Sequence, residues 1–483
     1  MPDGLNRRFD VTAYLPSLVE LGHVHLIAIG GSGMSAVARL LLAAGVPVSG
    51  SDAKASPVLA ALRHAGATVA IGHDPAHVTG ADTVVLSSAI PQDNPELVAA
   101  RSLGLRVLHR SQALAILAGG HRAIAVAGAN GKTTTSAMTT VALAAAGLDP
   151  SFAIGADLPG WAGNAHAGLG TAFVIEADES DGSFLAYRPE IAVVTNVQPD
   201  HLDFYGTFER VQAAYVAFAA SVRPDGLVVA CADDPGSAEL AAKLSRDGRR
   251  VLTFGFAQGS DVRLSEATEA MSTATGFGAH ARLSYARRSG ELTLAVPGRH
   301  NLLDAAAAFA VAVLGFGADP ERVLAGLARF GGARRRFEIV GRARGITVID
   351  DYAHNPGKVA ALVSTTVALV GADAVRVIFQ PHLYSRTRDF AAQFAEALAP
   401  AGQVTLAPIY GARETAMPGV SSELIADQLR QRSPQTSVSV ASSLDAVVDP
   451  VVASARPGDV ILTVGAGDVT TLAPRLVAAL DDR

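Results

Sequence analysis

Short apolar runs without alternation recur along the chain, and between them lie stretches with helical spacing. HLIAIG (25–30), AIAVAG (123–128), AFVIEA (172–177), IAVVTN (191–196) and GLVVAC (226–231) are apolar along most of their length and do not alternate. That pattern predicts strands of a parallel sheet covered on both faces. Helical spacing follows at 34–45 and at 133–147, the latter closed by Gly147. One stretch behaves differently: HARLSYARRSGELTLAV (280–296) alternates with period two. It predicts an antiparallel hairpin turning at Arg-Ser-Gly, residues 288–290.

The strand–helix pattern forms three sets, so the predicted class is α/β in three domains. Residues 1–118 form a Rossmann-like unit with its own glycine-rich loop. Residues 119–335 are expected to form a P-loop-type central unit with a small antiparallel β element. Residues 336–483 form a second Rossmann-like unit, running from FEIVGRARGITVIDDY (337–352) to GDVILTVGAGD (458–468). A chain of 483 residues suits about three domains at roughly 150 residues each.

Composition narrows the function classes. A net charge of −6 leaves no global basic field for nucleic acid or an anionic membrane. A single cysteine, Cys231, excludes an internal disulfide and reads as a buried small hydrophobe in a reducing compartment. No run reaches the ~18 apolar residues of a membrane span, and MPDGLNRRFDVTAYL lacks a signal-peptide core. The expected location is cytoplasmic.

Two glycine loops carry the candidate chemistry. The first, HLIAIGGSGMSAVARLLLAAG, places Gly31-x-Gly33-x-x-Ala36 between a strand and a helix, with Asp52 at the end of the next strand. Such glycines let backbone amides approach a diphosphate at a helix N-terminus, and the acid can hold a ribose hydroxyl. Three readings stay open for this loop: a nicotinamide or flavin cofactor, hence an oxidoreductase; another nucleotide diphosphate; or a structural turn.

The second loop, VAGANGKTTTSAM (126–138), departs from the Walker pattern because Val126 stands where the first glycine belongs. Gly128 and Gly131 still flank a strand-to-helix turn, Lys132 can neutralise phosphate charge, and Thr133 can ligate magnesium. The next apolar strand runs into Glu176, Asp178, Glu179 and Asp181, and the one after it into Asp200, His201 and Asp203. Parallel strands deliver their C-terminal ends to one crevice, so the loop, the acids and the histidine should converge on a nucleoside triphosphate and its magnesium. Further on, His300 and Asn301 precede a helix, and Arg334, Arg335 and Arg336 cluster together. Asp350, Asp351, Tyr352 and His354 end one strand, and His382, Tyr384, Arg386 and Arg388 end another. A dehydrogenase has no need of the second loop, and a simple kinase little need of the third unit.

In order and spacing, GGSGMS, GANGKTTT, EADESDGSF, TNVQPDHLDFYG, VPGRHN, RRRF, DDYAHNP and FQPHLYSRTRD resemble the Mur ligase family over nearly the whole chain. GGSGMS with EADESD points to the alanine-adding kind. The resemblance implies ATP-dependent joining of L-alanine to UDP-N-acetylmuramate through an acyl phosphate. Glycine and serine are the competing amino acids, because a methyl group discriminates by only about 1–3 kcal/mol. It implies catalytic roles for Lys132, Glu176 and His201. Gly128, Asn130, Gly131, Lys132, Thr133 and Thr134 would cradle ATP, joined by His300, Asn301, Arg336 and Asp351. Magnesium would sit on Thr133 and Glu176, and a second ion on His201. Gly31, Ser32, Gly33, Met34, Asp52, Ser87 and Ser88 would bind the UDP-sugar. Tyr352, His354 and Arg386 would position the amino acid.

Three departures from the family pattern stand out. Gly-Ala-Asn replaces Gly-Thr-His before Gly-Lys, and Leu383 stands where an arginine is common, with Arg388 the expected compensating cation. ERVQAAYVAFAA has no lysine, so the carbamylated lysine of several paralogues is not expected.

Overall fold

The protein is described by a computed structural model covering residues 9–11, 13–270, 277–412 and 414–482. The eight N-terminal residues, on which the leader expectation partly rests, and the side chain of Asp203 lie outside the described residues. By its packing the chain divides into two compact units, the first holding residues up to Thr268 with Ala279–Leu294 and Arg299–Phe330, the second holding Gly331–Arg483 with two short insertions.

The first unit contains two sheets. Strands β1 (Val24–Ile27), β2 (Val48–Asp52), β3 (Thr68–Ile71), β4 (Thr83–Leu86) and β5 (Arg106–His109) form a parallel five-stranded sheet in the order β3-β2-β1-β4-β5. Their apolar runs divide between the two faces: Leu26, Val85 and Leu108 join one core, Ile27, Val84 and Leu86 the other. Burial on both sides is why these strands do not alternate.

The second sheet has ten strands: β6 (Arg122–Ala127), β7 (Ser151–Ala153), β8 (Ala165–His166), β9 (Ala172–Glu176), β10 (Ile191–Val194), β11 (Leu227–Cys231), β12 (Val251–Gly255), β13 (Val262–Ala270), β14 (Gly278–Tyr285) and β15 (Arg288–Leu294). Its order is β15-β14-β13-β12-β11-β10-β6-β9-β7-β8, so β6 lies between β9 and β10 and runs parallel to both. The loops after these three strands therefore leave the sheet side by side. Cys231, at the end of β11, is buried as expected.

The hairpin forms, but its turn is Ala286–Arg287 and not Arg288–Gly290. Both turn residues have positive φ, 41° and 64°, the geometry of a two-residue turn that follows the strand twist. Register decides the matter: the pairing sets buried Ala281 opposite buried Leu292 and Ala279 opposite Leu294. A later turn would break these pairs and turn apolar side chains outward.

The second unit carries a six-stranded sheet of β16 (Glu338–Ala343), β17 (Ile346–Asp351), β18 (Val375–Phe379), β19 (Gln403–Leu406), β20 (Ser437–Val440) and β21 (Val460–Val464), ordered β16-β17-β21-β18-β19-β20. Only the β16–β17 pair is antiparallel. Ile349, Val377 and Leu462 face one core, and Val348, Ile378 and Ile461 the other. Among the described residues no helix is long and apolar enough to cross a membrane.

The acid loop after β9 is anchored by aromatic packing. Phe184 stacks on Phe218 at 5.0 Å and meets Tyr215 edge-on at 5.5 Å, and all three rings are buried. Truncating Phe184→Ala should cost about 3–5 kcal/mol of unfolding free energy, measured as a lower denaturant midpoint at unchanged slope.

Candidate active site

The loop after β6 is built by steric necessity. After β6 the chain turns through Gly128 at φ 149° and Gly131 at φ 83°. A Cβ at Gly128 would collide with Thr195 Oγ1, and one at Gly131 would lie 2.6 Å from Asp304 Oδ1. Only glycine fits both places. Ala129 is buried. Asn130 is tied to the loop after β10: its N–H donates to Asn196 Oδ1 at 2.9 Å, its side-chain amide to Gln198 Oε1 at 3.1 Å, and its carbonyl accepts from Thr195 Oγ1 at 2.6 Å. Gly131 then caps the helix Lys132–Ala145 without a side-chain hydrogen bond. A long helix with an N-terminus not capped by a side chain presents amides and partial positive charge to an anion.

The acids converge on this loop as expected. Thr133 Oγ1 donates to Glu176 Oε1 at 3.0 Å, while Glu176 Oε2 accepts from Gly155 N–H at 2.6 Å. Lys132 Nζ folds back, donating to Gly128 O at 2.6 Å and to Glu179 Oε1 at 2.8 Å. Burial works against the Lys132 ammonium, but Glu179 and Asp178 outweigh it and raise its pKa. His201, at φ 52° before the short helix Leu202–Tyr205, brings Nε2 to 3.7 Å from Glu179 Oε1 and 3.9 Å from Asp200 Oδ2. Glu179 thus stands between Lys132 and His201. Its other oxygen, Oε2, is buried without a hydrogen-bond partner among the described residues, and burial pushes its carboxyl up.

Sequence reasoning counted Glu179 among the acids but passed over it as a site residue, and it missed Asp304 altogether. Asp304 lies on the helix Arg299–Phe309, buried beneath Gly131, and accepts from Thr135 Oγ1 at 2.8 Å. The available signal was an acid in the alanine-rich run LLDAAAA, where an unpaired charge is costly. On the same helix Asn301 is buried and His300 exposed.

Around the first glycine loop, Gly31 caps the helix Ser32–Ala43 without a side-chain bond, and Gly30 N–H donates to Asp52 Oδ2 at 2.9 Å. Asp52 therefore holds the loop's backbone with at least one oxygen. Met34 is buried in the core, so only its backbone is available to a ligand. Ser32 O accepts from Asn164 Nδ2 at 2.9 Å. Ser87 is half-buried. Ser88 Oγ donates to Asp181 of the acid loop and lies 3.2 Å from His109 Nε2. Burial outweighs Asp181 and lowers the His109 pKa to about 4.

The second unit gathers its own cluster where β17, β21 and β18 end together. Asp351 accepts N–H groups from Phe337 and Ala353, both at 2.8 Å, and so braces the loop. Arg335 and Arg336 lie over the Tyr352 ring at 4.7 and 5.2 Å. Tyr352 meets His354 at 5.1 Å and His354 meets His382 at 5.9 Å. Arg386 Nη1 donates to His354 O at 3.3 Å. Burial drives the His354 pKa down to about 3, leaving a neutral ring whose Nδ1 lies 2.8 Å from Tyr352 O. Leu383 sits at φ 71°. Arg388 pairs with its neighbour Asp389 at 2.7 Å on the exposed surface.

Comparison with known proteins bears on this arrangement. Three family models match in sequence: "Mur ligase family, catalytic domain" at residues 23–122, "Mur ligase middle domain" at 126–312, and "Mur ligase, glutamate ligase domain" at 335–467. The chain is 52% identical to UDP-N-acetylmuramate–L-alanine ligase of Kineococcus radiotolerans, over 98% of this chain and 99% of that one. It is 51% identical to the protein of the same name from Paenarthrobacter aurescens, over 97% of this chain and all of that one (100%). Among solved structures it is similar to the UDP-N-acetylmuramate-alanine ligase MurC of Thermotoga maritima, with TM-score 0.80, 29% identity, and 95% of this chain and 99% of that one covered. These relatives are ligases, and nothing in them supports an oxidoreductase.

The Asp304 carboxyl gives a pH signature. Burial raises its pKa to about 7, against an opposing bond from Thr135. A carboxyl raised on folding stabilises the protein below its unfolded pKa of about 3.9 and loses that contribution as pH rises towards 7. Asp304→Asn should therefore flatten the fall in melting temperature between about pH 4 and pH 7, followed by calorimetry across that range.

Proposed function

The chain belongs to the Mur ligase family, and on that premise we propose that it joins L-alanine to UDP-N-acetylmuramate, consuming ATP. The products are UDP-N-acetylmuramoyl-L-alanine, ADP and phosphate, a step of peptidoglycan precursor synthesis in the cytoplasm. One observation carries the reading: Lys132 on Glu179 and Thr133 on Glu176, at a helix N-terminus without a side-chain cap, in a chain alike along nearly its whole length to alanine ligases. We assign residues 1–118 to the UDP-sugar, 119–335 to ATP and 336–483 to the amino acid.

A free carboxylate is a poor acyl donor. Its oxygen therefore takes the γ-phosphoryl group of ATP, giving an acyl phosphate. The amine of alanine attacks the acyl carbon, and phosphate leaves from the tetrahedral intermediate. Catalysis of this kind is mostly positioning and charge stabilisation. Lys132 supplies the cation for the transferring phosphoryl group, moving from Glu179 and the Gly128 carbonyl towards phosphate oxygens. Gly128, Asn130, Gly131 and Thr134 form the cradle, with His300, Asn301, Arg336 and Asp351 completing the nucleotide's surroundings. Gly31–Met34, Asp52, Ser87 and Ser88 hold the UDP-sugar, and Tyr352, His354 and Arg386 hold alanine. His201 or a carboxylate of the central site is the group available to take the proton of the incoming amine.

Magnesium fits the central site. Thr133 Oγ1 and Glu176 Oε1 are oxygen donors 3.0 Å apart, the kind and number that magnesium takes from protein when phosphates and waters fill its other positions. Among the described residues no group of three or more His, Cys, Asp or Glu is arranged to hold a metal, so the fitting site is one completed by substrate phosphates. Bound there, the ion would neutralise phosphate charge. A second ion would draw on His201 and the unpartnered Oε2 of Glu179.

Phosphate release, followed by a coupled assay, should require UDP-N-acetylmuramate and L-alanine together. Release without either substrate would sink the assignment. Lys132→Ala should reduce kcat by roughly 10²–10³-fold, chelation of magnesium should abolish turnover, and glycine should lower kcat/KM by about 10- to 200-fold.

A further inference from the structure

Arg110 is a largely buried cation that the mechanism above does not use. It opens the helix Arg110–Leu117 directly after β5, with a quarter of its side chain exposed (25%). Its Nη2 donates to Asp178 Oδ2 at 2.6 Å, reaching from the first sheet to the acid loop of the second. Its Nη1 lies against Gly33: a Cβ at that position would run into it. Gly33 is in the first turn of Ser32–Ala43, a helix without a side-chain cap. Among the described residues Nη1 makes no hydrogen bond. The fork therefore still has a donor to give: Asp178 takes Nη2, and Nη1 is turned towards the first glycine loop.

We propose that Arg110 binds an anionic oxygen of the UDP-sugar, with Nη2 remaining on Asp178 and Nη1 donating to the substrate beside Gly31–Gly33. The inference rests on the ligase reading and adds a binding residue to it. A guanidinium suits the task because its planar fork serves two acceptors at once in fixed directions, which an ammonium cannot. Glycine at position 33 is then required by the cation beside it as well as by the ligand. The anionic oxygen belongs either to the diphosphate or to the carboxylate of the sugar's lactyl group, and the two are separable by experiment.

Binding of UDP-N-acetylmuramate and of UDP-N-acetylglucosamine, which has the diphosphate but no carboxylate, is measured by calorimetry on the full chain. Arg110→Met should raise the Kd of UDP-N-acetylmuramate by about 10- to 100-fold, the range for a hydrogen bond to a charged group. An equal loss for UDP-N-acetylglucosamine assigns Arg110 to the diphosphate; a loss confined to UDP-N-acetylmuramate assigns it to the carboxylate. Arg110→Lys keeps a cation for Asp178 without the fork and should bind at least about fivefold more weakly than the natural protein. In turnover, KM for the UDP-sugar should rise while KM for ATP stays within about threefold, since only the former is touched. Natural Kd values in both variants overturn the proposal, as does an equal rise in both KM values, which would make Arg110 a brace for the acid loop. The natural protein's own phosphate release is measured first. If it does not depend on the UDP-sugar and alanine, the ligase reading fails and Arg110 with it; if it does, unchanged Kd values remove Arg110 alone.

Discussion

Everything at the centre of the first unit depends on neutralising one stretch of chain. Glu176, Asp178, Glu179 and Asp181 fall within six residues; Glu179 is buried and the other three are half-buried. Packed carboxylates repel one another and lose their hydration, so each needs a donor or a cation. Lys132 faces Glu179, Arg110 faces Asp178, Thr133 and Gly155 N–H share Glu176, and Ser88 donates to Asp181. Lys132 and Thr133 come from one helix turn, and Arg110, Gly155 and Ser88 from three other parts of the chain. The acid loop can therefore take this form only when both sheets of the unit are in place around it.

That constraint gives the loop its chemical readiness. Glu179 is buried with one oxygen satisfied and one not, and His201 lies 3.7 Å from the satisfied one. A buried unsatisfied acceptor destabilises a resting structure by an amount that a bound cation or proton would relieve. The loop after β6 is held in the same way: Lys132 is tied back on Glu179 and on the Gly128 carbonyl. The bracing also reaches beneath the loop, where Asp304 and Thr135 fill the space under Gly131.

Much of this was legible in the residues. The apolar runs marked their strands to within three residues, because strands buried on both faces are apolar at most positions. The convergence of VAGANGKTTT, EADESD and TNVQPDH followed from parallel strands ending on one edge, and the order β10-β6-β9 sets them side by side. The hairpin turn was misplaced by two residues because Arg-Ser-Gly looks like a turn locally, whereas the pairing of Ala281 with Leu292 decides register through the core. Asp52 read as a ribose ligand, yet one of its oxygens holds Gly30 N–H, a bond set by the depth of the β1 and β2 ends relative to each other.

By itself the sequence determined which residues are strands and helices, where glycine loops interrupt them, and that acids, a lysine and histidines lie at strand ends. These are local properties, written in periodicity and in the few residue types that tolerate positive φ. Only the tertiary structure decided which charge answers which. That Arg110 would reach Asp178 across two sheets, that Glu179 would take Lys132 while Glu176 took Thr133, and that Asp304 would lie under Gly131 are contacts between residues 43 to 173 positions apart. Partner choice at that distance is set by how the layers pack and by the cost of leaving a buried charge alone, and no short stretch of sequence carries either.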